Sequence, residues 1–83
     1  MRVRYFAWLR ERVGLNAEEV EPPAGVATPR QLIAWLRGQS AAHADAFADE
    51  TLIRCVIGDD FHDLDTPFGA ARDLTFLPPF TGG

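Results

Sequence analysis

Residues 28–38, with the sequence TPRQLIAWLRG, carry the clearest structural signal in this chain of 83 residues. Thr28 is a good helix N-cap, because its hydroxyl can accept a hydrogen bond from a free backbone N–H. Pro29 follows at the first helical position, Gln31 completes a capping box, and Gly38 is a typical stop. Apolar side chains recur along one side of the segment, at Leu32, Ile33, Trp35 and Leu36. The sequence therefore predicts an amphipathic helix over residues 29–37.

Five segments with the β-branched and aromatic residues of strands flank this helix. They lie at residues 2–8, 17–21, 51–57, 61–64 and 73–77. A helical turn ended by Gly14 separates the first two, and a weak helical turn anchored by Phe47 follows the main helix within residues 40–49. One main helix must then cover one face of a single mixed sheet, with the first and last strands central and parallel. The sequence therefore predicts an α+β fold of the β-grasp type.

The third predicted strand carries the single cysteine, Cys55. Alternation along residues 51–57 predicts that Ile53, Cys55 and Ile57 face the core, whereas Arg54 marks the wetter face. Cys55 is therefore predicted to be a small core residue rather than a sulfur shuttle. It cannot form an internal disulfide, which fits a reducing, cytoplasmic setting.

Composition and charge argue against several classes of partner. The length fits one domain, which we place at residues 1–77, followed by an extended tail at residues 78–83. The formal net charge is −4, and the eight basic residues are all arginines that form no basic stripe, which argues against nucleic acid. The apolar run near the start, YFAWL at residues 5–9, is too short for a signal peptide or a membrane span. We therefore expect no membrane association.

The sequence contains no pattern typical of a metal site. His43 and His62 lack a Cys/His cluster at metal-ligand spacing. The acidic segment at residues 59–65 lacks the glycine and the terminal glutamate of an EF-hand. No phosphate-binding loop is present either. We therefore expect this chain to bind no metal and no cofactor of its own.

The last segment of the chain is FLPPFTGG, residues 76–83. Pro78 and Pro79 cannot extend a sheet ladder, and they favour a stiff, extended conformation. Gly82 leaves the backbone conformationally free, and Gly83 carries its carboxylate on an unhindered carbon. A frayed terminus would explain the two glycines but not the stiff segment before them. The pattern therefore predicts that the terminal carboxylate is the working group.

Two stretches resemble the small subunit of molybdopterin synthase: VRYFAWLRERVG at residues 3–14 and FLPPFTGG at residues 76–83. The specific features are Pro-Pro-x-Thr/Ser-Gly-Gly after an apolar strand and an N-terminal Phe-Ala-x-x-Arg-Glu-x-x-Gly pattern. Members of that family are ubiquitin-like β-grasp sulfur carriers. The resemblance implies that Gly83 is adenylated and converted to a thiocarboxylate. This group would donate sulfur to a pterin precursor in molybdopterin (molybdenum cofactor) synthesis.

The same resemblance implies a set of partners. The chain would be the non-catalytic, sulfur-donating subunit of the synthase, with the active site on a large subunit. Two carriers would flank a dimer of large subunits, giving a heterotetramer. An E1-like adenylyltransferase would use ATP to activate Gly83, and a sulfurtransferase would supply the sulfur.

The family also implies which residues contact these partners. It docks through apolar residues at the positions of Phe6, Phe61 and Leu77, for which the alternative is an ordinary place in the core. The tail residues before the glycines would bind inside the partner's channel, namely Pro78, Pro79, Phe80 and Thr81.

Two further functions remain open from the sequence. A ubiquitin-like protein modifier would be conjugated through Gly83 to a lysine of another protein, and a thiazole-type sulfur carrier shares the Gly-Gly ending. The chain itself has no lysine, so it could not build lysine-linked chains on itself. The Pro-Pro-x-Thr-Gly-Gly ending favours the pterin pathway over these alternatives. A β-grasp binding module whose tail has no function is the least favoured interpretation.

Overall fold

The computed structural model describes residues 1–79, which form a mixed five-stranded sheet with three α-helices against one face. The strands are β1 (Arg2–Tyr5), β2 (Ala17–Glu19), β3 (Arg54–Ile57), β4 (Asp60–His62) and β5 (Asp73–Leu77). The helices are α1 (Trp8–Val13), α2 (Pro29–Arg37) and α3 (Ala41–Ala46), and a 3-10 turn covers Glu50–Leu52. None of these helices is long and apolar enough to span a membrane.

The strands lie in the order β2-β1-β5-β3-β4. Strands β1 and β5 are parallel, with Val3 opposite Leu74 and Tyr5 opposite Phe76, and every other neighbouring pair is antiparallel. The first and last strands therefore lie side by side within the sheet, and the predicted central parallel pair is confirmed.

Helix α2 has the bounds that its capping signals predict. The Thr28 hydroxyl accepts from the Gln31 backbone N–H at 3.2 Å, and the Gln31 side-chain oxygen accepts from the Thr28 N–H at the same distance. These two bonds satisfy donors that the first helical turn leaves without partners, and Pro29 has no N–H to satisfy. The predicted helix at residues 29–37 is confirmed.

The core lies between the sheet and the helices. Aromatic packing at its centre joins Tyr5 to Phe47 at 6.0 Å and Phe47 to Phe76 at 5.2 Å between ring centroids. Phe47 is fully buried, as the sequence predicts. The rest of the fully buried set comes from both layers: Val3, Leu9, Pro29, Leu32, Ile33, Leu36, Ile53, Cys55 and Leu74. One continuous cluster therefore holds the helices to the sheet. Of the side chains predicted to face inward, Ile53 and Cys55 belong to it, and the partly buried Ile57 packs against it.

The first strand ends earlier than predicted. The expected strand at residues 2–8 stops at Tyr5, because Ala7 adopts φ 56° and ψ −134°, which extended backbone does not allow. Helix α1 then begins at Trp8 and ends where Gly14 takes a left-handed φ of 88°. The helical turn predicted before Gly14 is confirmed, but it begins at Trp8, which the sequence assigned to the strand.

Three other predicted strands were also too long. Residues 51–57 form a strand only from Arg54, because Asp49 caps a 3-10 turn by accepting from the Thr51 N–H at 3.0 Å. The segment at residues 17–21 is a strand only as far as Glu19. The segment predicted at residues 61–64 is instead Asp60–His62.

The weak helical turn predicted within residues 40–49 is a regular helix, α3. Ser40 caps it by accepting from the His43 N–H at 3.0 Å, and Phe47 ends it. The single turn expected from composition is therefore a six-residue helix that packs against α1 and α2.

Candidate functional site at the open face and the tail root

One face of the sheet has no helix over it in the described part of the chain. We call it the open face, and one row of it runs across four strands through Arg4, Thr75, Val56 and Phe61. Beside this row Leu77 lies opposite Arg54. The side chains on the other face of the same strands, such as Val3, Leu74 and Cys55, are buried against the helices.

Phe6 and Phe61 are the most exposed large apolar side chains of the described residues, at 54% and 61%. Phe6 follows β1, and its N–H bonds the Phe76 carbonyl at 3.1 Å, so it continues the alternation of that strand on the open face. Leu77 is half-buried. Phe6 and Phe61 are therefore not core residues, and their role in docking stays a prediction.

The tail root, Pro78 and Pro79, leaves the sheet directly from the end of β5. Both prolines are half-buried, and neither belongs to a strand. The predicted tail residues Phe80, Thr81, Gly82 and Gly83 lie outside the described residues. Because β5 is flanked by β1 and β3, the tail root starts from an interior strand of the sheet.

A groove that sequence reasoning missed runs along the tail root. It has a volume of about 380 Å³ and is lined by Trp8, Arg12, Leu52, Pro78 and Pro79. The Arg12 guanidinium lies 4.7 Å from the centre of the Trp8 ring, which is a cation–π contact. The spacing of Trp8 and Arg12 is the signal that could have found the pair, but only for a helix begun at Trp8.

A buried polar network was also missed. One carboxylate oxygen of Glu18 accepts from the Tyr5 hydroxyl at 2.6 Å and lies 2.7 Å from Nε2 of His43. The other ring nitrogen of His43 lies 2.6 Å from the Ser40 hydroxyl. Burial, followed by the hydrogen bond to Glu18, raises the pKa of Tyr5 far above its usual range. The network joins β1, β2 and α3.

Cys55 is fully buried, as the sequence predicts. Its thiol donates to the His62 carbonyl, with the two atoms 3.1 Å apart, and burial raises the pKa of the thiol. Raising the pKa lowers the thiolate fraction, and the thiolate is the nucleophilic form. The interpretation of Cys55 as a core residue rather than a sulfur shuttle is supported.

The remaining candidates from the sequence have structural partners or lie at the surface. His43 belongs to the buried network, and His62 is exposed on β4. Asp65 pairs with Arg30 at 2.7 Å, and hydrogen bonds from Arg30 lower the pKa of that carboxyl. Within residues 1–79 no three His, Cys, Asp or Glu side chains are placed to hold a metal ion.

The family model described as ThiS matches residues 3–83 of the chain. The chain belongs to the ThiS family. It is therefore a ubiquitin-like sulfur carrier or a modifier-like protein of the same kind. No curated protein sequence matches this member of the family.

Solved structures resemble this ThiS-family chain over nearly its whole length. SAMP1 from Haloferax volcanii is 25% identical, with a TM-score of 0.72, covering 100% of this chain and 98% of the other. A Pyrococcus furiosus protein described as molybdopterin converting factor, subunit 1, is also 25% identical, with a TM-score of 0.72 and 95% of each chain covered. A second structure, of small archaeal modifier protein 1 from H. volcanii, is 22% identical with a TM-score of 0.70, over 96% of this chain and 97% of the other. The predicted ubiquitin-like β-grasp fold is confirmed.

Proposed function

We propose that this protein is the sulfur carrier of molybdopterin synthesis. The observation that carries the proposal is the Pro-Pro-Phe-Thr-Gly-Gly ending, which follows directly from an interior strand beside an open face with two exposed phenylalanines. A carrier needs a tail that reaches into a partner and a surface by which the partner holds the domain. The similarity to a molybdopterin converting factor subunit supports this proposal.

The chemistry resides on the Gly83 carboxylate. A carboxylate is a poor electrophile, so it first attacks the α-phosphate of ATP on an adenylyltransferase, and pyrophosphate leaves. Sulfur at the sulfide level (HS⁻), delivered by a sulfurtransferase, then attacks the acyl-adenylate and displaces AMP, which leaves a thiocarboxylate and a proton. The anionic sulfur attacks an activated carbon of the pterin precursor, and a leaving group departs from that carbon as the C–S bond forms, which gives a thioester between Gly83 and the pterin. Release of the acyl group by water returns the Gly83 carboxylate.

This division of labour assigns the active sites to the partners. Phe6, Phe61 and Leu77 dock the domain on the large subunit, and two carriers flank a dimer of large subunits. Pro78 and Pro79 keep the tail extended, which reduces the entropy lost when the tail enters a channel. The chain needs no metal or cofactor of its own for this role, and ATP binds the activating partner. A buried thiol without a disulfide partner fits work in the cytoplasm.

A second candidate function is protein modification through Gly83. The observation that favours it is the similarity to SAMP1, named a small archaeal modifier protein, which has the same TM-score and identity as the molybdopterin converting factor subunit. Here an amine of a target lysine attacks the acyl-adenylate in place of sulfur, and an amide forms as AMP leaves. A thiazole-type sulfur carrier would use the same thiocarboxylate on a different acceptor.

Deletion of Gly83 tests the proposal. The shortened chain ends about 3.5 Å sooner, so its carboxylate does not reach the same point in a partner's channel. With the adenylyltransferase, ATP, a sulfur source, the large subunit and the pterin precursor present, we expect molybdopterin from the full chain and none from the shortened one. The melting temperatures of the two should agree, because the last residues of a domain contribute little to its stability. Equal molybdopterin formation by the shortened chain would overturn the proposal.

A further inference from the structure

Ala7 is the one residue other than glycine with a positive φ in the described part of the chain. Its angles, φ 56° and ψ −134°, belong to a region that side chains with a Cβ rarely adopt. Such strain costs on the order of 1–3 kcal/mol and is found mostly at functional sites. At this position it separates Phe6 from Trp8 at the point where the chain passes the tail root.

The strained turn places two aromatic side chains on either side of it. Phe6 is more than half exposed on the open face, and Trp8 is partly buried in the groove along Pro78 and Pro79. Leu52, which also lines that groove, is 44% exposed. The apolar surface of the open face therefore continues around the tail root into the groove.

The groove carries the positive charge of Arg12, which, like Arg10, Arg54 and Arg72, pairs with no carboxylate within residues 1–79. Of the eight arginines, those paired with carboxylates within residues 1–79 are Arg2, Arg4, Arg30 and Arg37. Arg12 makes no ion pair and no side-chain hydrogen bond to any of these residues, although the chain has twelve acidic side chains. Its guanidinium rests on the Trp8 ring, which leaves the N–H groups at its edge available to carboxylates.

We propose that the groove formed by Trp8, Arg12 and Leu52 is a docking surface for a protein that presents a carboxylate beside an apolar patch. This inference rests on the proposed function, because the partner meant is the adenylyltransferase, which must receive the tail in order to adenylate Gly83. Such a partner must close around Pro78 and Pro79, and its rim then covers the groove that these prolines line. Tryptophan and arginine are the residue types that most often dominate binding at interfaces.

The partner's carboxylate affects the rate of association as well as the affinity of the complex. A guanidinium and a carboxylate attract across solvent over about 10 Å at 0.1 M salt, and this attraction weakens as salt is added. The chain as a whole has a net charge of −4, so it would repel an acidic partner in most other orientations. Arg12 therefore favours association in the orientation that turns Pro78 and Pro79 toward the partner.

The test uses the cognate adenylyltransferase and its ATP–pyrophosphate exchange with the full-length chain as substrate. The variants are Arg12→Glu and, as a matched control, Arg72→Glu, which makes the same change of charge at the other end of β5. Both side chains are exposed, so both variants should melt like the wild type. We expect Arg12→Glu to raise the KM for the carrier about tenfold with kcat unchanged, and to remove most of its salt dependence. We expect Arg72→Glu to change the KM less than about twofold.

Three other outcomes would overturn the inference. A KM for Arg12→Glu within twofold of the Arg72→Glu value would show that no partner carboxylate meets the groove. A lower KM would show that the partner presents positive rather than negative charge to the groove. A wild-type chain that supports no exchange at all would overturn the proposed function together with this inference, which sets it apart from the first two results.

Discussion

The Tyr5 hydroxyl and the His43 ring both contact the same carboxylate oxygen of Glu18. Oε2 of Glu18 lies 2.6 Å from the Tyr5 hydroxyl and 2.7 Å from Nε2 of His43, and both of these partners are buried. The hydroxyl and the ring nitrogen come from β1 and α3, and the carboxylate comes from β2. Glu18 therefore fastens an outer strand and a short helix to the strand that pairs with the tail-bearing strand β5.

Glu18→Ala should destabilise the domain by about 1–3 kcal/mol, because it leaves the Tyr5 hydroxyl and the His43 ring buried without their acceptor. The neighbour Glu19 is the control, since it is exposed and pairs with Arg2 at 2.9 Å. Glu19→Ala should cost less than about 1 kcal/mol. Urea unfolding of both variants measures the difference, and equal losses would contradict the role assigned to the network.

Tyr5 should ionise only as the domain unfolds. Burial and the bond to Glu18 raise its pKa above the unfolded value of about 10. A raised folded pKa means that this contribution to stability is complete below about pH 10 and is lost as the pH rises above that value. Tyr5 is the only tyrosine, so phenolate absorbance reports on it alone. Absorbance and circular dichroism should change together, and phenolate formed near pH 10 in a folded chain would contradict this account.

Ala7→Gly should stabilise the domain by about 1 kcal/mol. It relieves strain on the order of 1–3 kcal/mol, while glycine costs about 0.5–1 kcal/mol in backbone entropy. Ala44→Gly is the matched control, because Ala44 is exposed within α3 and the same change there should destabilise by about 0.5–1 kcal/mol. Thermal melts compare the two, and a lower melting temperature for Ala7→Gly would show that the residue is not strained.

Phe6→Ala and Phe61→Ala should weaken binding to the large subunit, by about 2 kcal/mol where the residue is a hot spot. Their stability should change little, because more than half of each side chain is exposed. Phe47→Ala is the control for a core residue and should cost about 3–5 kcal/mol of stability. Calorimetric titration beside thermal melts separates the two effects. Unchanged affinity in both surface variants would reject the docking role.

The parts of the fold that the sequence predicted are those set by neighbouring residues. Helix α2 depends on Thr28, Pro29 and Gln31, whose bonds are all formed within one turn. The central parallel pair follows from the order of elements and the need to cover one face of the sheet. Phe47 and Cys55 were placed in the core because apolar residues in those patterns rarely lie elsewhere.

The parts that were missed depend on the tertiary structure. The alternation of Arg4, Tyr5 and Phe6 continues past the end of β1, so it does not show where the strand ends. Alanine rarely adopts a positive φ, so the sequence does not predict the turn at Ala7. Glu18 stands in an acidic run that is typical of solvated surface, and only folding brings α3 against it. The groove joins Trp8, Leu52 and Pro79 from three distant segments, so no local pattern predicts it.

The most direct test of the central claim is the mass of the chain recovered from its own cells, together with a search for Gly83 remnants on lysines of other proteins. Sulfur and amine compete for the same acyl-adenylate, so the final state of Gly83 shows which of them reacts. We predict that most of the chain is free and ends in a carboxylate or a thiocarboxylate, the latter heavier by the replacement of one oxygen with sulfur. Abundant lysine adducts without any detectable thiocarboxylate would contradict the sulfur-carrier account and establish the modifier in its place.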